Sequence, residues 1–468
     1  MSAVEAAALV SVDVEKSSTL SEELRALVRL GLPIVASMAA SQLLGFVDVA
    51  MVGRIDAVAL AAVGIGNGIF FTISLVAMGF VLGMDPLVSQ AIGAGEKDRA
   101  RAVLWQAVWI ALLSSVPAIV LTLLGAAFVG RIGIDPATSQ SVFEFIIGRL
   151  FSVVPFLVFT AARTYLQAVG GAGAVVWAYV WTNIANLVGN VLLIYGDPGL
   201  EKLGLPAVGL PPLGVLGSGL SSTIASFVTV GIIYRAIVRH GGRPIREDFR
   251  RDVAIMRRMV HVGWPISMHL LAEVGAFSLA GVFAGWLGPQ ALAGHHVALS
   301  LASMSFVFAL GVGNATAVRV GMAVGRSDSQ GARRAGFAGL CAGAMMMSIS
   351  IFLFAFAPGF CARILSDKPD VIESAIPLLR IAAIFQLADA AQVIMAGALR
   401  GAGHTKITQV VNIIGYYIVG LPLALLLGFV FHMGAEGIWW GLTVALFGVA
   451  ITLVFWFVRL SRQEIRRL

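Results

Sequence analysis

The chain has 468 residues, of which 59% are hydrophobic and only 12% charged, with a formal net charge of +7. Soluble globular domains are about a quarter charged and carry no series of apolar runs of about twenty residues, so a polytopic membrane protein is expected. The basic excess does not describe a nucleic-acid surface, because Lys and Arg stand between the apolar runs and not in one soluble patch.

Residues 1–28 mix charges (Glu5, Asp13, Glu15, Lys16, Glu22, Glu23, Arg25) and place no basic region ahead of an apolar core. No cleavable signal is expected there, and the stretch reads as a cytoplasmic tail with a surface helix over Ser18–Val28. Twelve apolar runs follow, at about 30–53, 57–90, 102–128, 140–169, 174–195, 214–238, 259–286, 289–325, 335–360, 372–399, 406–431 and 437–458. Each is long enough for a helix to span a bilayer, and the longer ones must tilt or project beyond it.

Three lone carboxylates interrupt these runs: Asp48 in the first, Glu273 in the seventh and Asp389 in the tenth. An acid at the centre of a membrane helix costs roughly 2.5–3.5 kcal/mol, so such residues face a bundle interior or wet cavity and handle ions or protons. At 1.5 Å per residue Glu273 lies about 22 Å from Arg258, and Asp389 about 24 Å from Glu373. One helix rises and the other descends, so both acids reach mid-membrane. Two carboxylates close together in low dielectric cannot both ionise cheaply, which makes a cation or proton their natural occupant.

Phe277 follows Glu273 by one helical turn, and Phe385 precedes Asp389 by one, placing each ring on its acid's face. Such faces attract cations by roughly 0.5–2 kcal/mol, although lipid-facing or core packing explains a lone Phe as well. His269, four residues before Glu273, is a candidate to tune its proton or a satisfied core histidine. In the fifth run Asn186 and Asn190 share a face and are candidates to hydrogen-bond Asp48, with interhelical glue as the alternative. His295-His296 lacks a further ligand at zinc spacing and reads as helix-end structure. Cys341 and Cys361 read as inert core thiols. Asp85 and Arg319 fall near segment ends, where a solvated mouth is expected. Arg149 and Arg380 sit at matching depths, suggesting a bond to helix-end carbonyls or to a neighbouring acid.

One set of loops holds Lys97, Arg99 and Arg101, then the Arg-rich stretch from Arg235 to Arg258, then Arg326, Arg333 and Arg334, then Arg400 and Lys406. The opposite set holds only Arg54, Arg131, Lys202, Arg363 and Lys368. The bias places both termini in the cytoplasm. The first half also recurs at an offset of 232: Gly31-Leu32-Pro33-Ile34 matches Gly263-Trp264-Pro265-Ile266, Gly79 matches Gly311, and Ala91-Ile92-Gly93 matches Ala323-Val324-Gly325. The expected organisation is a tail (1–28), an N-lobe (29–238), a basic linker (239–258), a C-lobe (259–458) and a second cytoplasmic tail (459–468). Parallel repeats of this kind are a transporter architecture. The acids break the repeat, since Glu273 aligns with Ser41, Asp389 with Phe159 and Asp48 with Ala280. Neither lobe therefore needs them to fold.

The segments Pro33-Ile34 through Gly45-Phe46-Val47-Asp48, Gln90-Ala91-Ile92-Gly93-Ala94-Gly95, Glu273, and Asp389-Ala390-Ala391-Gln392 into Gly397-Ala398-Leu399-Arg400-Gly401 resemble the multidrug and toxic compound extrusion (MATE) transporters, in particular their NorM-type bacterial branch. The resemblance covers residues 25–460. It implies an all-α integral membrane protein whose twelve transmembrane helices form two pseudo-symmetric six-helix lobes. It also implies a C-lobe cation or proton site at Glu273 and Asp389 with rings from Phe277, Phe306 and Phe385. Its N-lobe counterpart would be Asp48 with Asn186 and Asn190. A tyrosine of some relatives corresponds here to Phe385, a departure that tilts the coupling ion from Na⁺ toward H⁺. The implied activity is export of lipophilic organic cations (drugs and dyes) by antiport with H⁺ or Na⁺ through alternating access. The setting would be a bacterial inner membrane, with the chain acting as a monomer and without a cofactor.

No Walker A pattern occurs, so ATP is not the expected energy source. A flippase for lipid-linked oligosaccharides is the alternative within the wider superfamily, but it would line its cavity with Arg or Lys. An intramembrane enzyme would need DDxxD-like or HExxH-like clusters, and the sequence has neither.

Overall fold

A computed structural model describes residues 19–468 apart from 203, 205 and 208; the tail expected over residues 1–18 lies outside the described residues. Among those described, twelve helices are long and apolar enough to cross a membrane. They are α1 (Leu20–Val52), α2 (Ala57–Gly93), α3 (Lys97–Arg131), α4 (Pro136–Ala168), α5 (Ala172–Ile194), α6 (Gly214–Gly241), α7 (Val253–Trp286), α8 (Pro289–Gly325), α9 (Ser329–Phe356), α10 (Pro369–Gly401), α11 (Thr405–Val430) and α12 (Gly434–Ser461). The all-α, twelve-span reading is borne out.

Short polar caps set the helix starts. Asp56 accepts from the Ala59 amide at 2.6 Å ahead of α2, and Asp328 from that of Gly331 at 2.7 Å ahead of α9. Asp135 accepts from the Thr138 amide at 2.9 Å while Pro136 takes the first turn of α4. Each acid satisfies an amide that the first turn leaves without an intrahelical partner. The surface helix expected over Ser18–Val28 is instead the opening of α1: the helix runs unbroken from Leu20, and Glu23 and Leu27 are buried.

The described chain groups into two compact units. The first holds Ala36–Met84 and Lys97–Ser267; the second holds the chain up to Val35, then Asp85–Glu96 and Met268–Leu468. In α1 and α7 the change of unit follows Pro33 and Pro265, each of which removes one helix hydrogen bond.

In the first unit, glycines bring helices into backbone contact. A Cβ on Gly148 of α4 would overlap the Leu216 carbonyl of α6, and one on Gly219 would overlap that of Phe145. Small residues at such crossings are how membrane helices gain dispersion contact in the absence of a hydrophobic drive. The Arg-rich linker is docked along α3. Arg101 Nε meets Asp248 Oδ1 at 3.2 Å, Gln106 donates to the Arg250 carbonyl at 2.8 Å, and Trp109 donates to that of Phe249 at 3.1 Å.

In the second unit α8 and α10 cross the same way, Gly313 against Gly397 and Ala317 against Gly401. Two expectations are corrected here. Arg319 does not stand in a solvated mouth: it is 2% exposed and holds Glu23 of α1 through two bonds of 2.6 Å. Asp85 likewise meets Arg400 Nε at 2.9 Å, with both side chains largely buried. The arginine at each site is drawn inward by an acid on another helix, which the local pattern does not reveal. Arg380 is exposed on α10 and makes no architectural bond among the described contacts. Cys361 is buried as expected, but Cys341 is exposed on the outer face of α9 and is no core thiol. His295 is buried and accepts from Trp439 Nε1 at 3.2 Å, a structural role.

Candidate functional site

In the first unit, α1 carries Asp48 to a position of zero exposure. Asn190 of α5 donates to its Oδ1 at 2.7 Å, and Ser222 of α6 donates to its Oδ2 at 2.8 Å. Asn190 also donates to Asn186 Oδ1 at 3.3 Å, so the two asparagines form the shared face that their spacing anticipates. Arg149 of α4 stands 4.0 Å from Asp48 Oδ2 and donates to Asn67 Oδ1 at 2.6 Å, with Phe70 under its guanidinium at 4.4 Å. Ser222 and Asn67 went unnoticed in the sequence; the hydroxyl run Ser221-Ser222-Thr223 within α6 was the available signal. Asp48 is thus an acid with every oxygen engaged and a guanidinium beside it.

The second unit builds a different acid site. Asp389 of α10 is 5% exposed, and its Oδ1 has no hydrogen-bond partner. Glu273 of α7 is brought toward it by the rings one turn from each acid, Phe277 and Phe385, whose centroids lie 5.9 Å apart. Glu273 Oε2 lies 3.5 Å from Nε2 of His269, one turn away on α7. Among the described residues neither Glu273 nor Asp389 has a Lys or Arg within ion-pair distance, in contrast to Asp48.

His269 is held from the other side. The Gln392 amide nitrogen lies 3.2 Å from His269 Nε2 and donates to Asn412 Oδ1 at 3.0 Å, while Asn412 donates to the Thr408 carbonyl at 2.8 Å. An amide nitrogen can only donate, so in this network His269 Nε2 is an acceptor facing Glu273. Gln392, Asn412 and Thr408 therefore extend a buried polar chain from Glu273 across α10 and α11.

Aromatic rings wall the acid pair. Phe277 meets Phe385 edge-on at 5.9 Å and Tyr416 at 6.0 Å, and Phe385 meets Trp439 at 5.7 Å. Phe277 and Phe385 come together as their spacing suggests. Phe306 is half-buried on α8 and stands outside this ring cluster. Tyr416 was missed: it is fully buried, and its hydroxyl has no hydrogen-bond partner. Its position four residues after Asn412 was the signal, since both present polar atoms on one face of an apolar helix. α11 is π-helical over Ile414–Gly420 and again over Leu426–Val430. Such widened turns are rare and concentrate at functional sites. Among the described residues no group of three or more His, Cys, Asp or Glu could hold a metal.

The family model described as MatE matches residues 33–192 and 265–426. The chain is 33% identical over 458 residues to a probable multidrug resistance protein NorM of Rhodopseudomonas palustris, covering 96% of this chain and 94% of that one. It is 31% identical over 436 residues to the multidrug resistance protein NorM of Burkholderia vietnamiensis, covering 92% of each. Among solved structures it is similar to a eukaryotic MATE transporter, with a TM-score of 0.80 at 19% identity over 95% of this chain and 98% of the other. A transporter of the MOP superfamily from Pyrococcus furiosus gives a TM-score of 0.82 at 21% identity, covering 96% and 100%; its binding pocket is described as reversed in polarity.

Proposed function

On the premise that the chain belongs to the MatE family of transporters and is not an enzyme, we propose that it exports lipophilic organic cations by antiport with H⁺ or Na⁺. The observation that carries this reading is the contrast between the acid sites. Asp48 is matched by Arg149, whereas Glu273 and Asp389 share a buried, ring-walled site with no Lys or Arg paired to either acid among the described residues. Buried negative charge without a fixed counter-ion must be neutralised by something that comes and goes.

The work of transport then follows from competition. An organic cation and an inflowing ion both neutralise the same carboxylates, and each stabilises the conformation that binds it more tightly. A tenfold ion gradient supplies about 1.4 kcal/mol per ion, and the membrane potential adds about 2.3 kcal/mol per net charge per 100 mV. The loop bias in Lys and Arg supports a cytoplasmic position for both termini, in a reading that sets the chain in a bacterial inner membrane as a monomer of two six-helix lobes. The mid-membrane charge is acidic, which favours cationic cargo over the pyrophosphate of a lipid-linked sugar.

Vesicle efflux of a cationic dye tests the reading, with a sodium gradient and a pH gradient imposed one at a time. Glu273→Gln and Asp389→Asn should each lose gradient-driven efflux while inserting normally. Wild-type rates from both variants would overturn the proposal.

A further inference from the structure

The oxygen chemistry around Asp389 is incomplete as long as only the two acids are considered. Asp389 Oδ1 and the Tyr416 hydroxyl are both buried, and among the described residues neither has a hydrogen-bond partner. A buried polar atom without a partner forfeits its hydration for nothing, so native structures retain few of them without a reason. Here two occur in one cluster: the Tyr416 ring packs on Phe277 at 6.0 Å, one turn beyond Glu273, and Phe277 meets Phe385, one turn before Asp389, at 5.9 Å.

The backbone shows how the tyrosine reaches this place. The π-helical stretch Ile414–Gly420 opens α11 at this residue. The next residue, Tyr417, fits against α7 where Gly275 has no side chain; a Cβ there would overlap the Tyr417 hydroxyl. α11 thus approaches α7 closely two residues beyond Glu273, and Tyr416 is directed inward.

We propose that the Tyr416 hydroxyl is a third oxygen ligand of the acid site, which with the Asp389 and Glu273 carboxylates equips it to take Na⁺. This rests on the reading of Glu273 and Asp389 as the coupling site. A phenol oxygen and carboxylates are hard donors suited to an alkali ion. The absence of a hydroxyl at Phe385 was the argument against Na⁺. Tyr416 supplies that hydroxyl from α11 within the same ring cluster, and the argument lapses.

The test is thermal unfolding of the purified full-length protein, titrated with NaCl against choline chloride at matched ionic strength. Ligand that binds the folded state raises the melting temperature. Wild type should be stabilised by Na⁺ specifically. Tyr416→Phe should need about tenfold more Na⁺ for the same shift, the loss typical of one hydrogen-bonding partner. Without Na⁺ it should melt no lower than wild type, because it removes a buried hydroxyl that had no partner. Glu273→Gln and Asp389→Asn should abolish the Na⁺ response. An unchanged Na⁺ midpoint in Tyr416→Phe, or a melting temperature that falls without Na⁺, overturns the role of Tyr416. A wild type indifferent to Na⁺ whose dye efflux answers only to a pH gradient overturns the Na⁺ assignment but leaves the exporter reading standing. That reading falls only if the acid variants keep wild-type efflux.

Discussion

Gly311 lies so close to Val35 that a Cβ on it would come within 3.0 Å of the valine Cα, and 232 residues earlier Gly79 meets Ser267 in the same way. Val35 and Ser267 are themselves 232 residues apart, so each glycine touches the repeat mate of the other's partner. Gly93 against Met322 and Gly325 against Gln90 form a second mirrored set at the same offset. The opening of α1 packs on α8 in the second unit, and the opening of α7 packs on α2 in the first. The internal repeat is therefore an exchange of helix ends as well as a duplicated pattern.

These glycines differ in what surrounds them, which separates their mutational costs. At Gly79 a Cβ would overlap the backbone of Ser267, whose Oγ is fixed by donating to the Val76 carbonyl at 2.7 Å. At Gly311 the nearest atom is a Val35 methyl, which can rotate. Gly79→Ala should lose about 1–3 kcal/mol of stability and Gly311→Ala less, by the usual penalty for overpacking. Gly45→Ala, where nothing lies within 4 Å, should be neutral or gain up to about 1 kcal/mol from helix propensity. Melting temperatures of the purified variants check the order; equal losses at all three positions would refute it.

The two acid sites should respond oppositely to neutralisation. Asp48→Asn strands Arg149, and breaking a buried pair costs roughly 3–5 kcal/mol. The 4.0 Å separation and the Arg149–Asn67 bond put this case at the low end. Asp389→Asn removes a buried acid with an idle oxygen and should leave the melting temperature unchanged or raise it. Melting curves and dye efflux measured on both variants decide the point. A stable, inactive Asp389→Asn beside a destabilised Asp48→Asn is the expected pattern.

The Asp135 cap carries a pH signature outside the membrane segments. Hydrogen bonds from the Thr138 side chain and then its amide hold the Asp135 carboxyl below its ordinary 3.8. A lowered folded-state value means that the contribution is fully present above the unfolded pKa and is lost as pH falls through the folded one. Asp135→Ala should thus melt below wild type at neutral pH, and the difference should close as the pH is taken below about 3.8. A gap that persists unchanged in acid would mean that the carboxylate charge is irrelevant to the cap.

The helices and their internal repeat were legible because apolar runs and an offset survive in any single sequence. Asp48, Glu273 and Asp389 were legible because a charge in an apolar run has a cost that demands a reason. Ser222 and Tyr416 were not, since serine and tyrosine carry no charge whose burial in an apolar run demands a reason, and only the tertiary fold brings Ser222 against Asp48 and Tyr416 beside Phe277. Arg319 was misread for a related reason. Its place near the end of α8 predicts solvent, and only the tertiary fold brings Glu23, 296 residues away, against it.

That pair sets a last expectation. Arg319 and Glu23 are 2% and 4% exposed and bonded through two nitrogens, so removing one partner breaks a buried charge pair. Glu23→Gln should cost about 3–5 kcal/mol, whereas the apolar double replacement Glu23→Leu with Arg319→Met should recover most of that loss. The comparison is a double-mutant cycle on melting temperature. If the double variant is as unstable as the sum of its singles, the guanidinium is anchored by more than this carboxylate and the pair is not the unit that holds α1 to α8.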